Sequence, residues 1–121
     1  MALHHKLCHV IGGAFDLPHA DTHTVILPYA MAYNAKAAPH ADAAVARALG
    51  GQNGTSALAD LGGRLGSPRR LKSLGMPESG IDHATDLAVQ NPYWNPRPIE
   101  RTALRALIAA AWAGEPPKAF D

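Results

Sequence analysis

One cysteine, Cys8, is all the thiol chemistry in 121 residues. An intrachain disulfide is therefore excluded, and a reducing, cytoplasmic setting is the expectation. Aromatic residues make up only 6%, and β-branched residues are also sparse, so a strand-built core lacks its usual material. Charge of either sign is weak: eleven basic and ten acidic residues leave +1 with the histidines neutral. That excludes a surface built to grip nucleic acid or an anionic membrane. No apolar run approaches the roughly 18 residues that a spanning helix needs. The opening MALHHKLCHV has no signal-peptide core, because histidines interrupt it. A doubly wound nucleotide-binding sheet needs more chain than this and strands that are not there. The expectation is one soluble helical domain over residues 1–121.

Alanine is abundant, and it loses no side-chain entropy in a helix. Eleven glycines and ten prolines cut the helical material into short pieces. The pattern predicts an all-α bundle of about six or seven short helices. The first runs from about Ala2 to Ile11 and stops at Gly12-Gly13. The second, about His19 to Asn34, contains Pro28, which should bend it. A third spans about Pro39 to Leu49. A fourth is capped by Thr55 or Ser56 and reaches Leu65. A short fifth opens at Ser67-Pro68 and ends before Gly75, and a sixth begins near Pro77-Glu78 with Asp82 and Asp86 facing water. Residues 91–98 form an extended connector. The last helix runs from about Ile99 to Ala113, with Leu104, Leu107, Ile108, Ala111 and Trp112 on one stripe. The first two helices carry little polar surface, which places them centrally or against something outside this chain.

Five of the seven histidines fall in the first 23 residues: His4, His5, His9, His19 and His23. His5 and His9 are four apart and share a helix face. His19 follows Pro18, and a helix, a turn and a returning helix would bring it towards His5. Imidazole is the commonest protein ligand for zinc, iron and related ions. His4 and His5 point about 100° apart, so they do not serve one ion together. The same geometry separates Cys8 from His9 and makes Cys8 a small buried residue. His40 and His83 read as solvated. Two or three histidines fall short of a full catalytic coordination set, so the site reads as incomplete.

The stretch from Leu3 to Pro28 resembles the signature of iron-containing alcohol dehydrogenases. Its marks are His5, His9, Gly12, Pro18-His19 and Leu27-Pro28. The strings His-His-Lys-Leu-Cys-His and Phe-Asp-Leu-Pro-His-Ala are similar to the maleylacetate reductase branch; Val10 and Ala20 depart from the Pro and Gly that alcohol dehydrogenases usually carry, and both are compatible with that branch. The resemblance implies the C-terminal helical part of a two-domain dehydrogenase, without its nucleotide-binding domain. It implies His5 and His19 as two of four metal ligands, with iron or zinc as the ion. It implies His9 as the catalytic proton donor, and NADH or NADPH held mainly by the absent domain. The implied reaction is reduction of maleylacetate to 3-oxoadipate in the breakdown of aromatic compounds. Lys6 and His4 are candidate contacts for the dicarboxylate substrate, and a homodimer is the implied assembly. The chain alone is expected to be inactive.

Two other readings remain open on the residues. One is a non-catalytic helical module that binds metal or a partner through its apolar first helices. The other is an iron-containing alcohol dehydrogenase with a different substrate.

Overall fold

The computed structural model describes residues 2–90 and 93–118. Among these, six α-helices and one 3-10 turn make up the regular structure. They are α1 (Leu3–Phe15), α2 (His19–Asn34), α3 (Pro39–Leu49), α4 (Gly54–Arg64), the 3-10 turn Leu71–Leu74, α5 (Gly80–Val89) and α6 (Arg101–Ala113). The all-α expectation holds, and no helix is long and apolar enough to cross a membrane.

Helix α2 is the hub. Its buried residues Thr22, Val25, Ile26, Tyr29, Ala30, Ala32 and Tyr33 share one broad face, an arc of roughly 160° at 3.6 residues per turn. It packs on α1, α4, α6 and the 3-10 turn, while α3 pairs with α4 and α5 with α6. Helix α1 is one-sided. Leu3, Leu7, Cys8 and Ile11 are buried, whereas His5 and His9 are exposed. Pro28 sits inside α2 without ending it, although its ring deprives the Thr24 carbonyl of a helical donor.

Several boundaries differ from the sequence expectation. Gly12-Gly13 do not stop α1, which continues to Phe15 and ends on Asp16 at φ 52°, in the left-handed region. Each glycine costs a helix roughly 1 kcal/mol relative to alanine; packing of the next turn offsets that. Phe15 lies so close to α5 that a Cβ on Gly80 would sit 2.6 Å from its ring. Helix α4 is capped by Asn53, whose Oδ1 accepts from the Ser56 N–H at 2.8 Å, and not by Thr55 or Ser56. Ser67-Pro68 opens no helix: only Leu71–Leu74 winds, as a 3-10 turn before Gly75. Pro77 and Glu78 form a turn that leads into α5 instead of its first turn.

The last helix starts at Arg101 because the segment before it is tied elsewhere. Of the connector, Asn91 and Pro92 lie outside the described residues. The remainder is held by Asn95, which exchanges hydrogen bonds with Asn34 at 2.7 and 3.1 Å and accepts from the Leu3 N–H at 3.3 Å. The Tyr33 hydroxyl donates to the Pro98 carbonyl at 2.7 Å and accepts from the Glu100 N–H at 3.0 Å. These bonds anchor the start of α1 to the end of α2. The histidine-bearing turns of both helices inherit their positions from that anchor.

Candidate functional site

Helices α1 and α2 form an antiparallel pair joined by the short link Asp16-Leu17-Pro18. A spacing of four along α1 puts Leu3, Leu7 and Ile11 on one inward stripe. His5 and His9, off that stripe, are left exposed, and so is His19 at the start of α2. Asp16 is exposed too and serves as the helix terminus.

His23 ties these groups together. Its ring lies 4.1 Å from that of His19 and 5.3 Å from that of His4, edge to face in the second case. Its pKa is lowered, first by burial and then by the positive charges that His19, His4 and His5 would carry. His5 and His19 thus both lie within electrostatic reach of one ring.

His4 takes a different course from His5. It is half-buried, and its Nε2 sits 3.4 Å from Cys8 Sγ and 3.2 Å from the His23 carbonyl. Expected as a carboxylate contact, His4 is instead turned towards the α1–α2 interface. Cys8 is buried, as expected, and burial pushes its thiol up to about 12. Its neighbour is His4 rather than His9, since residues four apart stack on one helix face. Lys6 is half-buried, with Nζ 5.5 Å from the centre of the Tyr93 ring. Burial, and to a lesser degree Tyr33, push the Tyr93 phenol up to about 12.

His40 and His83 are exposed, as expected, although the His83 ring stands edge-on to Phe15 at 6.3 Å. A groove of about 230 Å³ borders His4 and runs over Leu27, Met31, Asn34, Ala38 and Pro96. Sequence reasoning counted His23 without assigning it a role. The signal was His23 four residues after His19, together with Cys8 four after His4.

The model of the Fe-containing alcohol dehydrogenase family, C-terminal part, matches residues 1–112. The maleylacetate reductase of Burkholderia cepacia is 56% identical over 117 residues, covering 97% of this chain and 33% of that protein. The solved maleylacetate reductase of Agrobacterium tumefaciens superposes with a TM-score of 0.92 at 49% identity, over 97% of this chain and 33% of that one. An iron-containing alcohol dehydrogenase of Corynebacterium glutamicum superposes at 0.87 with 43% identity, over 94% and 32%. The chain therefore spans about a third of the length of the relatives it matches.

Proposed function

The chain belongs to the Fe-containing alcohol dehydrogenase family, and on that premise we propose that it is the helical, substrate-facing portion of a maleylacetate reductase. The observation that carries the reading is that His5, His9 and His19 are all exposed, on α1 and at the start of α2, with His5 and His19 both within electrostatic reach of the His23 ring. They occur in a chain 56% identical to a maleylacetate reductase.

The donor chemistry fits an iron- or zinc-class ion. His5 and His19 offer two exposed imidazoles, the ligand type such ions take. Two donors are half of a site, and the other half belongs to protein outside this chain. When bound, the ion supplies Lewis acidity for charge that develops on the substrate's ketone oxygen. The nicotinamide of NADH or NADPH, held by the rest of the protein, supplies the hydride.

The part played by this chain follows from its own residues. The alkene carbon remote from the ketone would receive that hydride, with charge developing towards the ketone oxygen. The carbon next to the ketone must then gain a proton. His9, one turn after His5 on the same exposed face, is placed to deliver it from its protonated ring. Imidazole suits the task because its ordinary pKa lies close to neutral pH. Lys6, next to His5 and braced against the Tyr93 ring, is the candidate contact for one substrate carboxylate. The reading brings with it a dicarboxylate substrate and a homodimeric assembly.

A chimera tests this. The chain replaces the C-terminal third of the Burkholderia cepacia reductase, and loss of nicotinamide absorbance is followed with maleylacetate. Turnover is expected, with His5→Ala and His19→Ala abolishing metal retention. A folded chimera that ignores maleylacetate but oxidises short alcohols would instead favour the alcohol dehydrogenase reading. The chain alone, mixed with NADH and maleylacetate, should give no steady absorbance loss.

A further inference from the structure

Behind the exposed histidines lies a second donor set of different composition. His4 and Cys8 are one turn apart on the same face of α1, and His23 meets them from α2. One ligand atom from each lies within 4.8 Å of the other two. We propose that His4, Cys8 and His23 form a thiolate-bearing site for a zinc-class divalent ion that clamps α1 to α2, separate from the positions of His5 and His19.

Three observations carry this. First, His4 Nε2 and Cys8 Sγ stand 3.4 Å apart. A tetrahedral ion bound about 2.0–2.1 Å from nitrogen and about 2.3 Å from sulfur holds those two atoms roughly 3.5 Å apart. The pair is already at ligating separation. Second, His23 Nε2 is shielded from solvent and has no hydrogen-bond partner among the described residues. Among the described residues only the Tyr93 hydroxyl shares that condition, whereas Thr22 Oγ1 donates to the Pro18 carbonyl at 2.7 Å and Thr85 Oγ1 to the Ile81 carbonyl at 2.8 Å. An unpaired shielded nitrogen beside two other donors calls for a partner. Third, the donor set selects the ion. One sulfur and two imidazole nitrogens disfavour magnesium and calcium and suit zinc or cadmium.

Binding forms a metal–sulfur bond and releases the Cys8 proton to solvent, with no change of oxidation state. Burial alone keeps that thiol protonated, so the ion must displace the proton. His4 Nε2 gives up its contact with the His23 carbonyl. The filled site would immobilise the His23 ring, on which the His19 ring rests at 4.1 Å.

The test is titration of the chain with cadmium alone, read by the ultraviolet charge-transfer band of a cadmium–thiolate bond. One equivalent is expected to saturate the band and release about one proton. Cys8→Ser should abolish it. His4→Gln and His23→Gln, at half-exposed positions where folding is not at risk, should weaken binding by at least the roughly 10–100-fold that outer-sphere partners of metal sites cost. The His5→Ala/His19→Ala double variant should keep the band, which separates this site from the family's metal positions. Circular dichroism confirms helicity in each variant. Absence of the band in the helical parent chain would overturn the proposal. So would a band indifferent to His4→Gln and His23→Gln, or one lost in the His5→Ala/His19→Ala variant.

Discussion

The pairs α1–α2 and α5–α6 are both antiparallel helix pairs, yet they treat polar groups in opposite ways. Between α5 and α6 the contact is small and apolar: Ala84, Ala88, Ala103, Ala110 and Ala111 are buried. Its charges are paired in water at the edge, Arg105 with Asp82 at 2.6 Å and Arg101 with Asp86 at 2.5 Å. Between α1 and α2 the edge carries imidazoles and a thiol in place of ion pairs. One of those rings is shielded and unpartnered among the described residues. A paired, exposed charge contributes little beyond solubility and register. Neutral donors clustered without acidic partners are available to a ligand. On the proposed function, the α5–α6 pair is scaffold and the α1–α2 pair holds the chemistry.

The largest break in that contrast should come from His9. In the chimera described above, His9→Gln is expected to lower kcat by roughly 10²–10⁴-fold, with the thermal midpoint unchanged because the residue is exposed. Arg105→Ala on the opposite pair should leave kcat within about twofold of the parent, since exposed ion pairs contribute little. Equal losses from the two changes would dissolve the division into scaffold and site.

Core substitutions sharpen the comparison from the side of packing. Leu7 is fully buried on α1, and Leu7→Ala should cost about 2–5 kcal/mol through lost burial and a cavity. On α5 the sensitive direction is reversed. Ala88 is fully buried between close helices, and Ala88→Leu should cost about 1–3 kcal/mol by overpacking. Gly80→Ala belongs to the same class, because its Cβ would drive the Phe15 ring aside. Urea midpoints at constant m-value measure all three.

The smallest effect is expected at Asp82. The Arg105 guanidinium, first through its hydrogen bond and then through its charge, holds the carboxyl below the usual range. A carboxylate with a depressed native pKa adds stability above its unfolded pKa and loses it as pH falls through the native value. Asp82→Asn should therefore cost a slight, salt-screened amount of stability at neutral pH and none once pH has fallen below the native pKa, so that the acid limb of the profile is flatter. A change of similar size at pH 8 and pH 3 would show that Asp82 acts by packing and not by charge.

Part of this was legible in the residues. Pro39 and Gly50 bracket α3 because proline suits a first turn and glycine tolerates the left-handed end, at φ 77°. Gly12-Gly13 misled because a helix end is settled by the energy of the whole element, and Phe15 finds a partner on α5 that no local rule reveals. Ser67-Pro68 misled for the opposite reason: a proline can open a helix only where the following turn has something to pack on. His5, His9 and His19 were singled out by spacing together with family resemblance, and the structure leaves all three exposed. The inward turn of His4 was not, since a helical wheel fixes the angle between His4 and His5 but not which of them meets α2.

Composition and local spacing determined an all-helical chain, some of the breaks between its helices, and an imidazole on either side of a tight link between the first two. Those are properties of neighbouring residues, set by backbone freedom and the 3.6-residue turn. Only the packed molecule decided that His4, Cys8 and His23 meet while His5, His9 and His19 stay exposed. That outcome depends on how α1 is rotated against α2 and α5, and the rotation is fixed by Leu3, Leu7 and Phe15 meeting partners such as Asn95 and Gly80 that lie far from the histidines in sequence.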